Sequence, residues 1–301
     1  MKSVVKLFGL MVCAILMSAC SKDDDNNITT VSNEIAIPDA NFEQALIDLG
    51  IDTNGLNGNI LKTDAEAVLS LNVDEKGIEN LQGIEGFKNL KYLLCNDNLL
   101  TTLDLSGNEF LEELDCKGNQ LTNINVSNNP ELNFLYCHEN QLTNIDLSNN
   151  LKLEDLSLGN NSLSTIDISG NPMLKYIKMD SNNLSSVDVS NNPLLEEFIC
   201  QDNSLTSIDF SNNPELKYVL VNRNFLTNID VSHNTNLQVI YCDFNELTSL
   251  NLKNGFNQNI THLSITNNEE LSCIQVDDAS YSTLLWSDDV DAQISFNTVC
   301  N

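Results

Sequence analysis

Asparagine stands at positions 98, 119, 140, 161, 182, 203, 224 and 245, a spacing of 21 residues held without a slip across about half of the chain. A fixed period of this length restricts the fold to stacked coils, because each unit can bury its apolar face only against the next copy. Two residues after each Asn stands a leucine, from Leu100 to Leu247, and five and three residues before it stand apolar pairs, from Leu114/Cys116 to Ile240/Cys242. The string LxxLxLxxNxL alternates in and out with period two, which predicts one short strand per unit, paired in parallel with the strand of the next. The Asn points inward, so its amide requires backbone partners at the turn leaving the strand.

The second half of each unit echoes the first: Leu121, Ile124, Val126 and Asn129 again spell LxxIxVxxN. Four of the five prolines, Pro130, Pro172, Pro193 and Pro214, follow that second Asn. Such segments are too rich in β-branched residues, Asn, Ser and Pro to hold a helix, so both sides of the coil are expected to be extended. Between residues 92 and 252 this pattern resembles the leucine-rich repeat family, specifically the 21-residue type called IRREKO, in which both halves carry the LxL motif. The resemblance implies a mostly β solenoid whose parallel sheet of LxxLxLxxN strands is the ligand-binding face. Leu81, Ile84, Phe87 and Leu90 resemble an internalin type of repeat at the N-terminal end.

The ends depart from the period, as caps of an open-ended core must. Pro38-Asp39 followed by Phe42, Ala45, Leu46 and Leu49 and closed by Gly50 predicts a capped amphipathic helix over the first coil. Lys76 takes the Asn position of a divergent first coil and Asn268 that of a tenth, giving a solenoid over 69–268 between an N-terminal cap, 35–68, and a C-terminal cap, 269–301. Asp52 to Ile60, read DTNGLNGNI, resembles a calcium loop only in part. Leu56 fills a ligand position and the glycine is misplaced, so a plain loop is expected there.

Residues 1–19 read as a secretion signal: Lys2 and Lys6 precede an uncharged run from Leu7 to Ala19, too short to span a bilayer. Met17-Ser18-Ala19-Cys20 resembles a bacterial lipobox, which implies that Cys20 is lipidated; an ordinary signal cut near Ala19 is the alternative. Residues 20–34, with Asp23, Asp24 and Asp25, form a solvated tether and resemble the acidic tag of Bacteroidetes surface lipoproteins. The expected location is therefore the outer membrane, lipid-anchored and facing outward.

The nine cysteines divide by position. Cys95, Cys116, Cys137, Cys200 and Cys242 occupy the inward column three residues before the Asn, where a thiol serves as a small hydrophobe. Cys273 and Cys300 lie outside it, and in an oxidising compartment a disulfide closing the C-terminal cap is their expected use.

Function must be sought on the outward columns. Six residues before each Asn the column reads Tyr92, Glu113, Phe134, Asp155, Tyr176, Glu197, Tyr218 and Val239, alternately aromatic and acidic; the next column adds Tyr136 and Tyr241. Rigid amphipathic rings on a polar face are what protein interfaces use as anchors, and rings in alternate coils, about 9.6 Å apart, also suit stacking on the sugars of an extended glycan. A structural spacer without a specific ligand is the contrasting reading. On the other side a column of carboxylates that includes Asp146, Asp167 and Asp188 is followed two residues on by Ser148, Ser169 and Ser190. These acids are expected to shape turns, with bound calcium as the sharper alternative.

Forty-three acidic residues against 14 basic give a net charge of −29, which excludes a nucleic-acid partner. The repeated acids are equivalent by construction, unlike the differently tuned carboxylate pair of a hydrolase. His138, His233 and His262 fall in unrelated columns. The expectation is a monomeric binding protein with a protein or glycan ligand, no cofactor and no catalytic residues.

Overall fold

A computed structural model of the chain describes residues 33–300. The expected signal, Cys20 and all but the last two residues of the tether lie outside the described residues.

An antiparallel pair, β1 (Glu34–Ala36) with β2 (Asn59–Leu61), brackets α1 (Ala40–Asp48) and is followed by the short α2 (Lys62–Glu66). Ten strands then pair in parallel along one side: β3 (Ser70–Asn72), β4 (Tyr92–Leu94), β5 (Glu113–Asp115), β6 (Phe134–Tyr136), β7 (Asp155–Ser157), β8 (Tyr176–Lys178), β9 (Glu197–Ile199), β10 (Tyr218–Leu220), β12 (Val239–Tyr241) and β14 (His262–Ser264). On the opposite side β11 (Asn228–Asp230), β13 (Ser249–Asn251), β15 (Cys273–Gln275) and β16 (Ser295–Asn297) make a second parallel sheet. The helix α3 (Ala279–Trp286) lies between β15 and β16 in sequence.

The register is the one the repeat demands. Tyr92 lies opposite Glu113, Glu113 opposite Phe134, Phe134 opposite Asp155, and so on to His262. Each coil buries its strand centre and the apolar residues of its far side, as Leu156, Leu158, Leu163, Ile168 and Leu174 do at 0–1% exposure. Burial of each such side chain contributes on the order of 2 kcal/mol. All five inward cysteines are buried and unbridged, with Cys116 Sγ 3.2 Å from Cys137 Sγ.

The Asn ladder is what joins coil to coil. Asn182 Nδ2 donates to the carbonyls of Met179 in its own turn (3.2 Å) and Leu158 in the preceding coil (3.0 Å), while its Oδ1 accepts from Leu163 N (2.9 Å). The far-side ladder is simpler. Asn192 Nδ2 donates to Ile168 O and Asn171 O, and its buried Oδ1 has no partner. The residue before each front Asn is held in the left-handed region, from Asp97 at φ 52° to Asn267 at φ 60°, and Gly118 is the glycine of that column.

Aspartates accept coil amides at both ends of the solenoid. At the N-terminal end Asp39 caps α1 through Asn41 N and Phe42 N, and its second oxygen accepts from Glu79 N (2.8 Å) and Asn80 N (2.9 Å) of the first coil. At the other end Asp291 accepts from Asn267 N (3.0 Å) and Asn268 N (2.9 Å).

Three features differ from the sequence reading. Leu49, expected on the apolar face of the helix, is the C-cap and is 50% exposed; Glu43 is buried instead, its Oε1 accepting from the amides of Asn57, Gly58 and Asn59. Strand pairing on the far side begins only at β11. In earlier coils the amides there go to local acceptors, as Ser127 N does to Asn125 Oδ1 and Asn129 N to Val126 O. The closing segment, finally, completes an eleventh turn: β15 and β16 extend the far sheet and Val290 bridges Ile265 at the front. The Cys273–Cys300 disulfide, with Cα atoms 5.9 Å apart, ties that turn down.

Candidate ligand-binding face

The outward residues of the ten-stranded sheet come from three-residue strands whose middle residue points inward, so the first and third side chains of each strand stand on the face. Tyr92, Glu113, Phe134, Asp155, Tyr176, Glu197 and Tyr218 fall in one row across adjacent strands, with Tyr136 and Tyr241 in the next. Tyr92 and Tyr218 are 36% exposed, whereas Tyr136, Tyr176 and Tyr241 are half-buried between their neighbours.

Hydroxyl bonds hold several of these rings. Tyr92 Oη donates to Glu112 Oε2 (3.0 Å), Tyr136 Oη to Asp155 Oδ2 (3.2 Å) and Tyr218 Oη to Gln238 Oε1 (3.4 Å), each in the following coil. Burial, then the Asp155 charge and hydrogen bond, push the Tyr136 phenol far above its usual range, so it remains a donor at physiological pH. Asp155 is itself raised, chiefly by burial, with Lys178 and Tyr136 acting against the shift; burial also raises Glu113.

The edge where the strands begin carries a feature the sequence reading missed. Lys91–Glu112, Lys175–Glu154 and Lys217–Glu196 form ion pairs at 2.7 Å, each across one coil step. These residues lie one position outside the strands, and only the register shows that each Lys meets a Glu 21 residues away. Where the strands end, Arg223 stacks over the Phe244 ring at 5.2 Å, and Phe225 and Phe244 are about half exposed.

A concavity of about 910 Å³ opens at the C-terminal end of the face, between the last strands and α3. Tyr241, His262, Asn222 and Gln201 line it from the sheet side and Tyr281 and Leu285 from the helix. Trp286, buried edge-on between Tyr281 and Phe296, fixes the helix beside it. Tyr241 thus belongs to a groove, whereas Tyr92 at the other end stands on an open sheet.

The far-side aspartates form turns. Ser148 N, Ser169 N and Ser190 N donate to Asp146, Asp167 and Asp188 at 2.9–3.0 Å. Hydrogen bonds from the serine hydroxyls, then from their amides, hold these carboxyls below the usual range. Asn125 and Asn251 do the same work in their coils without a charge. Among the described residues no three His, Cys, Asp or Glu side chains gather to hold a metal ion. Changing Asp146, Asp167 and Asp188 together to Asn is therefore expected to leave the melting temperature nearly unchanged at neutral pH, with or without calcium. A carboxyl with a lowered folded pKa contributes stability above the unfolded carboxylate range and loses it as pH falls through the folded value. The triple variant should accordingly lose less stability than the wild type between about pH 4 and pH 2 in thermal melts.

The fold so defined is the leucine-rich repeat solenoid. Among solved structures the chain is similar to a leucine-rich repeat protein of Leptospira interrogans, at 19% identity and TM-score 0.62 over 78% of this chain and 73% of that one. It is similar to the functional domain of InlJ from Listeria monocytogenes, which includes a cysteine ladder, at 23% identity and TM-score 0.56 over 87% of this chain and 70% of that one. A plant peptide hormone receptor, RGFR1, in complex with RGF2, matches at 23% identity and TM-score 0.55 over 64% of this chain and 37% of the receptor. At these identities the likeness is one of fold. No protein-family model matches the chain, and no curated protein matches it in sequence.

Proposed function

We propose that this chain is a lipid-anchored protein of the bacterial outer membrane, displayed outward, that binds a protein ligand through the tyrosine-bearing sheet. The observation that carries the reading is the row of aromatic rings set in alternate coils, of which Tyr92 and Tyr218, like Tyr136 in the next row, are fixed by hydroxyl bonds to the following coil. Rings held in this way lose little freedom on binding, which favours their use as anchors. The acids between them, Glu113, Asp155 and Glu197, favour a ligand with basic side chains. The peptide-bound plant receptor of the same fold supports a polypeptide over a glycan.

The test uses the compact unit Asn33–Asn301 as bait on surface-exposed proteins, beside a Tyr136/Tyr176/Tyr218→Ala triple variant. Loss of capture is expected, each anchor being worth on the order of 2 kcal/mol of binding, with little change in melting temperature. Full affinity in the triple variant would show the tyrosines to be dispensable, and capture of glycan alone would replace the protein ligand by a sugar. For the anchor, Cys20→Ser is expected to release the folded protein from the membrane fraction. Retention after a high-salt wash would refute lipidation at that residue.

A further inference from the structure

The N-terminal cap contains a group of oxygen atoms that the repeat does not explain. Asp52 is 5% exposed; its Oδ1 accepts from Asn54 N (3.0 Å), and its Oδ2 is buried with no hydrogen-bond partner. The Asn54 side-chain oxygen faces Asp52 Oδ1 and, at 3.2 Å, the Asn59 carbonyl, both of them acceptors. Rotating that amide would bring its nitrogen to these two oxygens and its oxygen to Asn57 Nδ2, at 3.2 Å, but would still leave Asp52 Oδ2 without a donor. A cation among the oxygens satisfies all of them at once.

The geometry also removes the objection that spacing raised. Ligands in a helix-flanked calcium loop come from its first, third, fifth, seventh and twelfth positions, with glycine at the sixth. Leu56 is 62% exposed, bulged outward beside Gly55 at φ 81°. With that one residue set aside, Asp52, Asn54, Asn57, Gly58, Asn59 and Asp64 fall at positions one, three, five, six, seven and twelve. The loop leaves α1 and runs into α2, which contains Asp64. Asp64 Oδ2 is turned toward the start of the loop, accepting from Thr53 Oγ1 at 2.6 Å. Glu43 is no ligand in this arrangement, since its Oε1 already holds the three amides of Asn57, Gly58 and Asn59. It positions the Asn59 carbonyl.

We propose that the loop from Asp52 to Asp64 binds one calcium ion through the Asp52 and Asp64 carboxylates, the Asn54 amide oxygen and the Asn59 carbonyl, with water completing the shell. Two carboxylates place its affinity at roughly 10⁻⁴ to 10⁻³ M, the weak end of such loops. The ion would fix the cap that covers the first coil. The binding face is remote from it in sequence, so the site stands or falls independently of the proposed ligand.

The full chain, stripped with chelator, is titrated with CaCl₂ and followed by calorimetry and by hydrogen exchange. Saturable uptake is expected, with amide protection rising in residues 52–64 and unchanged in the coils. Asp52→Asn and Asn54→Ala are each expected to weaken uptake at least tenfold while the coils keep their protection, and Asp146/Asp167/Asp188→Asn is expected to leave it intact. Either cap variant alone suffices if the other does not fold. The site is refuted if wild-type protection in 52–64 does not respond to calcium at about 10 mM, a level above this affinity range. It is equally refuted if the cap variants respond as the wild type does, and an equal response to MgCl₂ would overturn the assignment to calcium.

Discussion

Asn182→Ala is expected to destabilise the solenoid by on the order of 4 kcal/mol, more than an alanine at Asn192. Both residues are nearly or wholly buried, at 8% and 0% exposure, so burial alone would rank them the other way. The bonds decide. Removing Asn182 strands the buried amide of Leu163, at about 1–3 kcal/mol, and takes one bond of about 1 kcal/mol from each of the carbonyls of Leu158 and Met179, which keep Asn161 Nδ2 and Asn203 Nδ2. Removing Asn192 strands no group, because the carbonyls of Ile168 and Asn171 keep the amides of Asn171 and Leu174; two bonds are lost together with an oxygen that had no donor, so about 2 kcal/mol is expected. Urea unfolding followed by circular dichroism would measure the order. Equal losses would mean that the front ladder is not the principal tie between coils.

The second large effect is expected at the C-terminal cap. The Cys273–Cys300 bridge closes a separation of 27 residues, and constraint of a loop that long stabilises by about 3.5 kcal/mol. Cys273→Ser with Cys300→Ser should lower the melting temperature and raise hydrogen exchange over residues 265–300 first. β15 and β16 form the last pair of the far sheet, and Phe296 and Trp286 seal the open end of the core. The inward cysteines should resist alkylation in the folded protein. Burial raises the Cys200 thiol to about 12 and Cys242 higher still, so little thiolate is available to react. Mass spectrometry of the unreduced protein that found a Cys116–Cys137 bridge would contradict the separation of the cysteines into two classes.

What the sequence made legible is what the period repeats. The spacing of Asn98 to Asn245 dictates the strands, their register, the inward cysteines and the row from Tyr92 to Tyr218, because a residue's place in the coil determines its direction. What it concealed lies off the period. The segment ASYSTLLW of α3 has no clear apolar stripe, and Leu284 and Leu285 are exposed, so neither the helix nor the groove it makes with Tyr241 and His262 could be read from a pattern. The lysines of the edge ladder stood in plain view, but their partners depend on the register. The calcium spacing proposed for the loop at Asp52 likewise depends on setting Leu56 aside as an outward bulge, and a linear count cannot tell a bulge from a mismatch.

The face also has a parity that the backbone lacks. The coils from Asn98 to Asn245 share their Asn and the leucine two residues on, yet Tyr92, Phe134, Tyr176 and Tyr218 fall on one set of alternate coils and Glu113, Asp155 and Glu197 on the other. Loss or duplication of a single coil, which the core would accommodate, joins ring to ring or acid to acid and puts the rest of the row out of phase. Loss or duplication of two preserves the pattern and shifts it by about 9.6 Å. The unit in which this protein can change length and keep the same surface is therefore the pair of coils.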